Sequence, residues 1–188
     1  MAKVLDLHWE GPYCPLSFLE KQNPAPGKGV YLWVCEHKAE VWIDYVGKAL
    51  GSPSLGKRQQ EHVCGQLGLK YKIPGEFRTS GKEWTPGIYP AYKEDLVDSE
   101  RHLKLLEESK NYLRASKVYL APIKDLSDKE INRLERTLIW QLQPLGNTQG
   151  KKSQPKEPIE VTHHNADWFQ DGLKNSFEKT PIIKGGKP

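Results

Sequence analysis

The stretch Gly29-Val30-Tyr31-Leu32-Trp33-Val34-Cys35, then Glu36-His37-Lys38-Ala39-Glu40, then Val41-Trp42-Ile43-Asp44-Tyr45-Val46-Gly47-Lys48 decides how this chain reads. Two apolar, aromatic-rich runs joined by a short polar segment predict a β-hairpin. With the turn centred on Lys38, Tyr31 falls opposite Tyr45 and Trp33 opposite Ile43. Alternation then puts Tyr31, Trp33, Val41, Ile43 and Tyr45 on one face, and Val30, Leu32, Val34, Trp42 and Val46 on the other. Both faces are apolar, so both need cover. Two tyrosines in adjacent strands ordinarily signify packing alone, and it is the rest of the chain that gives them another use.

The chain has 188 residues, 37% hydrophobic and 28% charged, which suits one globular domain with a substantial core. No apolar run approaches the roughly 18–20 residues of a membrane span. Asp6 interrupts the opening Met1-Ala2-Lys3-Val4-Leu5, so no signal-peptide core is expected. Cys14, Cys35 and Cys64 show no Cys-x-x-Cys spacing and predict reduced thiols in a cytoplasmic protein, neither a disulfide frame nor a zinc site. A net charge of +4 is compatible with a polyanionic partner without requiring one.

Residues 1–28 read as a packed lead-in with a short helix near Leu16–Gln22. After the hairpin, Ser52 and Pro53 suit the N-cap and first position of a helix running to about Cys64. Gly65 to Leu96 is irregular, rich in glycine and proline, and mixes Lys70, Lys72, Arg78 and Lys82 with aromatic residues. Cations meet phosphates and flat rings stack on bases, so this segment is either a nucleic-acid contact surface or a loop tied down by its own rings. A helix is predicted from Asp98 or Ser99 to about Arg114, with Leu103, Leu106 and Leu113 on one side, followed by a strand over Lys117–Pro122. Ser127-Asp128-Lys129-Glu130 is a capping-box pattern opening a strongly periodic helix to about Leu142, stopped by Pro144 and Gly146. Gly146 to Pro158 has linker composition, Asn165 to Phe177 suits a last amphipathic helix, and a tail follows from Thr180.

Arg58 and His62 are four apart and share one helical face, which a helix leaving the second strand would turn toward the tyrosines. Such a pair is most often a solvated face. Glu135 is more informative. Counting about 100° per residue from Ile131, it falls inside the stripe of Leu134, Leu138, Ile139 and Leu142. An ionised carboxylate there costs several kcal/mol unless it is paired or metal-bound. Either it pairs with Arg58 or His62, or it ligates a divalent metal at the mouth of the core, where one carboxylate, waters and substrate phosphate oxygens form a normal magnesium site.

Gly29-Val30-Tyr31, Tyr45-Val46-Gly47-Lys48, Arg58 with His62, Glu135 and Asn147, in this order and spacing, resemble the GIY-YIG nucleases over about residues 27–150, most closely the small restriction endonucleases of that family. Val30 replaces the isoleucine of the first motif. Gly87-Ile88-Tyr89 is a decoy flanked by prolines, with no Tyr-x-Gly at hairpin distance. His163-His164-Asn165 hints at a histidine metal site but lacks partner ligands at finger spacing, and reads as the lead-in to a helix. The resemblance implies an α+β fold with a three-stranded antiparallel sheet flanked by helices. That core carries an insertion over 65–97, an N-terminal lead-in and a C-terminal helical extension over 151–188, all in one domain.

It further implies a divalent-metal-dependent endonuclease acting on double-stranded DNA as a homodimer, with no membrane association. Glu135 would hold one Mg2+ or Mn2+ and Arg58 would meet a phosphoryl oxygen. Tyr31 would take a proton from water, its pKa lowered by Lys48 and the metal, while Tyr45 orients Tyr31 or the phosphate. His62 would serve as a second base or as the orienter of Tyr31, and Asn147 would tie down the loop after the third helix. Two alternatives accompany this reading: a repair nuclease specific for DNA structure, and a non-catalytic nucleic-acid-binding module.

Overall fold

The computed structural model describes residues 4–20, 26–38, 40–83, 85, 99–147 and 155–165. These form β1 (Val4–His8), β2 (Glu10–Tyr13), a 3-10 turn (Pro15–Leu19), β3 (Gly29–His37), β4 (Glu40–Ala49), α1 (Leu55–Leu67), a second 3-10 turn (Gly75–Phe77), α2 (Ser99–Ala115), β5 (Ser116–Pro122), α3 (Asp128–Leu142) and β6 (Glu160–His164). The class is mixed α and β, as the sequence predicts, but the antiparallel sheet has four strands where three are expected, in the order β2-β5-β3-β4. A separate parallel pair joins β1 to β6. No described helix is long and apolar enough to cross a membrane.

The hairpin forms, in a different register. His37 pairs with Glu40 around a two-residue turn in which Lys38 takes a left-handed φ of 48°. Tyr31 lies opposite Gly47, Trp33 opposite Tyr45, and Val34 opposite Ile43, with a bulge between the last two pairs that leaves Asp44 as the extra residue. One extra residue inverts the alternation on the turn side of it. Val41 and Ile43 therefore join Val30, Leu32, Val34 and Val46 on one face, while Trp42 joins Tyr31, Trp33, Cys35 and Tyr45 on the other. The predicted faces hold for β3 and for Tyr45 and Val46, and are exchanged for Val41, Trp42 and Ile43.

Each face has its own cover. The Val30 face packs on Ile131, Leu134, Leu138, Ile139 and Leu142 of α3, the stripe expected from periodicity, and on Leu7, Trp9, Ile159 and Val161 from around the β1–β6 pair. The Tyr31 face packs on Leu55 and Val63 of α1, Tyr112 and Leu113 of α2, and Phe18. The Ser127 capping box is complete, with both reciprocal hydrogen bonds made.

Several boundaries differ from the sequence reading. The N-cap of α1 is Ser54, whose Oγ accepts from Lys57 N–H, so Ser52 and Pro53 lie outside the helix, which runs on to Leu67. The helix expected near Leu16 is the 3-10 turn, which ends where Glu20 takes an extended conformation. On α2 the buried residues are Leu105, Glu108, Ser109, Tyr112 and Leu113, and Leu103 is exposed. His163 and His164 lie in strand β6, and the helix expected to follow them falls beyond Asn165, outside the described residues. Gly87-Ile88-Tyr89 and most of the Asn165–Phe177 stretch lie outside the described residues.

Candidate active site

Tyr31 comes from the middle of the sheet and is 1% exposed. Its ring lies across Gly47, where a Cβ would stand 2.3 Å from both Cζ and Oη of the phenol. Glycine at this cross-strand position is thus what lets the ring lie flat across the strand. The phenol Oη is 2.8 Å from His62 Nε2, on α1. His62 sits among four rings, with centroids 5.6 Å away for Tyr31, 5.9 Å for Trp33, 5.4 Å for Tyr45 and 5.5 Å for Tyr71. Tyr31 and Tyr45 are neighbours at 6.2 Å, as expected, although the bulge makes them diagonal and not directly opposed.

Burial among these rings sets the protonation states. It pulls the His62 imidazole down to about 4, with the Arg58 charge adding to the effect, so the ring is neutral near pH 7. It pushes the Tyr31 phenol well above its ordinary range, with Tyr45 contributing and Arg58 opposing. Tyr45 is raised too, by burial and then by Glu135. A phenol lowered by Lys48 is therefore not what the ligand-free site contains.

Glu135 lies on the core stripe of α3, its side chain 14% exposed, and its partner is the Lys48 ammonium from β4. This ion pair replaces the expected one with Arg58 or His62. Arg58 instead meets Glu61 at 3.1 Å, one turn along α1, and stands close enough to Tyr31 to influence its phenol. Glu135 is also within electrostatic reach of both Tyr31 and Tyr45.

Asn147 closes the arrangement. Its Oδ1 accepts from Val46 N–H at 2.8 Å and its Nδ2 donates to Val46 C=O at 2.9 Å. Leu145 N–H and Gly146 N–H donate to the Ile43 and Asp44 carbonyls. The loop after α3 thus caps the open edge of β4 at the bulge. Tyr31, Tyr45, Lys48, Arg58, His62, Glu135 and Asn147 all gather around this end of the hairpin.

The predicted basic surface divides. Lys70 and Lys82 are exposed. Lys72 pairs with Glu83 at 3.0 Å. Arg78 is structural: its Nε lies 2.6 Å from Glu108, whose carboxylate is 7% exposed and also accepts from Thr79 N–H and Oγ1. The sequence reading missed Asp44, and it placed Tyr71 among the rings of the irregular segment without bringing it to the hairpin. Tyr71 packs against Gly65, where a Cβ would come within 2.4 Å of its ring. Asp44 accepts from Tyr112 Oη at 2.5 Å. An Asp breaking an aromatic alternation was a readable signal for Asp44; for Tyr71 the signal was its place between Lys70 and Lys72.

Among the described residues, no group of three or more His, Cys, Asp or Glu stands together as a metal site. A metal here would rest on Glu135 alone among protein carboxylates, which suits a hard cation completed by water and phosphate oxygens. The Lys48 ammonium already engages that carboxylate, so a metal there would share it with the ammonium or displace it. No protein-family model, curated protein or solved structure matches this chain.

Proposed function

We propose that the chain is a divalent-metal-dependent DNA endonuclease of the GIY-YIG type, hydrolysing phosphodiester bonds in duplex DNA, with sequence-specific restriction as its setting. The observation that carries this is the gathering of a buried phenol–imidazole pair, an arginine and a core-stripe glutamate at one end of one hairpin. Hydrolysis requires a base for water and charge neutralisation on the phosphoryl oxygens.

With Nδ1 protonated, His62 Nε2 accepts from the Tyr31 phenol. As water attacks phosphorus, Tyr31 Oη takes the water's proton and passes its own to His62, whose neutral imidazole is ready for it. This relay avoids a standing phenolate; the imidazolium it forms is disfavoured by the same burial and is offset by the negative charge developing on the phosphoryl oxygens. Arg58 supplies a planar fork for a phosphoryl oxygen. Tyr45 flanks the phosphate, Lys48 and Glu135 bind and balance charge beside it, and Asn147 positions β4. A divalent ion held by Glu135 would supply Lewis-acid polarisation of the phosphate and stabilise the leaving oxygen.

The Lys48–Glu135 pair favours a second reading, a non-catalytic nucleic-acid-binding module, because it gives the core carboxylate a structural partner. Magnesium-dependent cleavage of long, sequence-diverse duplex DNA separates the two, wild type beside Glu135→Ala. Discrete fragments from wild type alone are expected. Binding of DNA without cleavage of duplex, branched or damaged substrates would overturn the nuclease reading.

A further inference from the structure

Beside the tyrosines lies a cavity of about 570 Å³ that the proposed chemistry does not use. It shares Tyr45, Arg58 and His62 with the candidate site and extends past Trp33, Trp42 and Tyr71. Trp33 and Trp42, 4% and 7% exposed, form its buried end, and Tyr71, 40% exposed, its solvent side. Three carboxylates, Asp44, Glu76 and Glu83, line it as well. Asp44 is fixed by the Tyr112 hydroxyl, while Lys72 and Glu83 in the wall engage each other.

The chemistry of this lining is selective. Carboxylates repel a phosphate, so the sugar–phosphate backbone belongs outside, at Arg58. The rings offer faces to a flat group, and the carboxylates accept N–H donors. A nucleobase bearing an exocyclic amine meets both conditions; thymine offers a single N3–H flanked by two carbonyl oxygens, which a carboxylate repels, so it meets the second less well. Bases taken out of the stack are held in this manner, between rings and with polar contacts to their edges.

We propose that the cavity receives a single nucleobase with an exocyclic amine, swung out of the DNA beside the phosphate that Arg58 holds. The proposal rests on the nucleic-acid reading of the same site. It makes Tyr71, Trp42, Asp44 and Glu76 specificity residues, none of which the hairpin motifs identify.

The test uses the full-length, metal-free protein with dAMP, dCMP, dGMP, dTMP and inorganic phosphate, followed by NMR of the tryptophan indoles, with Trp42 assigned through Trp42→Phe. The amine-bearing nucleotides should shift the Trp42 signal and bind more tightly than dTMP, and phosphate alone should leave that signal in place. Tyr71→Ala should weaken nucleotide binding by about 5- to 150-fold, the range that loss of one base–ring stack gives. Glu76→Gln, at an exposed site where folding is unaffected, should shrink the preference over dTMP. A Trp42 signal indifferent to all four nucleotides would overturn the cavity proposal while leaving the nuclease reading intact, provided cleavage is seen. Nucleotide binding in the cavity with no DNA cleavage would sink the nuclease reading alone. Displacement of dCMP by N-acetyl-arginine amide more readily than by any nucleotide would reassign the cavity to an arginine side chain of a protein partner.

Discussion

Gly47→Ala isolates the packing on which the Tyr31–His62 pair depends. The added methyl would sit 2.3 Å from Cζ and Oη of a ring that is 1% exposed and hydrogen-bonded to His62. The ring cannot step aside without losing that bond. Overpacking a core costs about 1–3 kcal/mol, and the lost hydrogen bond adds about 1 kcal/mol. In a chain of this size each kcal/mol lowers the melting temperature by about 2–4 °C, so a fall of roughly 5–15 °C is expected. A displaced ring also opens His62 to water, moving its pKa from about 4 toward the ordinary range. Calorimetry and an NMR titration of the imidazole read the two effects. Tyr31→Leu removes the atoms that clash, so Gly47→Ala in that background should cost close to nothing, and a double-mutant cycle should return a coupling of about 2–4 kcal/mol. Equal costs in both backgrounds, or an unmoved His62 titration, would refute the reasoning.

Burial holds His62 and His163 at about 4, assisted by Arg58 and His164 respectively. The folded state therefore binds fewer protons than the unfolded one, and stability is full above about pH 6.5 and lost as pH falls toward 4; urea titrations at pH 7.5 and 5 should differ by about 4 kcal/mol, and a flat profile would contradict the burial of both rings. Asn147→Ala removes two hydrogen bonds to Val46 and should cost about 1–3 kcal/mol in urea unfolding, with faster amide exchange at Val46. Arg78→Ala strands a buried carboxylate that, among the described residues, retains the Thr79 bonds and should cost about 3 kcal/mol. By contrast, Lys70→Ala and Lys82→Ala should leave stability within about 0.5 kcal/mol and each lower the salt slope of DNA binding by about 1.

The parts of the fold legible in the sequence were those written in local patterns. The α3 stripe from Ile131 to Leu142 and the Ser127 capping box are each contained within one helix, and both stand as read. Leu5-Asp6-Leu7-His8-Trp9 alternates apolar with polar and so marked a strand, but β1 pairs with β6 more than 150 positions away, and nothing local names that partner. The Lys48–Glu135 pair had the same obstacle: a carboxylate on the core stripe says that a partner exists, and nothing local says which.

The hairpin shows why the site was readable even where the register was not. The expected pairing set Tyr31 opposite Tyr45, and the observed one sets it opposite Gly47, a slip of two residues. A two-residue slip preserves the face of a side chain, because alternation has period two. Beyond the bulge, on the turn side, the slip is one residue, and there the faces exchange. Tyr45 therefore reached Tyr31 as expected, while Trp42 and Ile43 changed places. The exchange matters for function: it brings Trp42 to the Tyr31 face, into the wall of the cavity, and leaves Asp44 at the bulge to line that cavity beside Arg58. A hairpin without the bulge would present Ile43 there and no carboxylate. The single extra residue thus separates two tasks along one strand, with Tyr45, Gly47 and Lys48 serving the tyrosine and glutamate chemistry and Trp42 and Asp44 shaping the recess next to it.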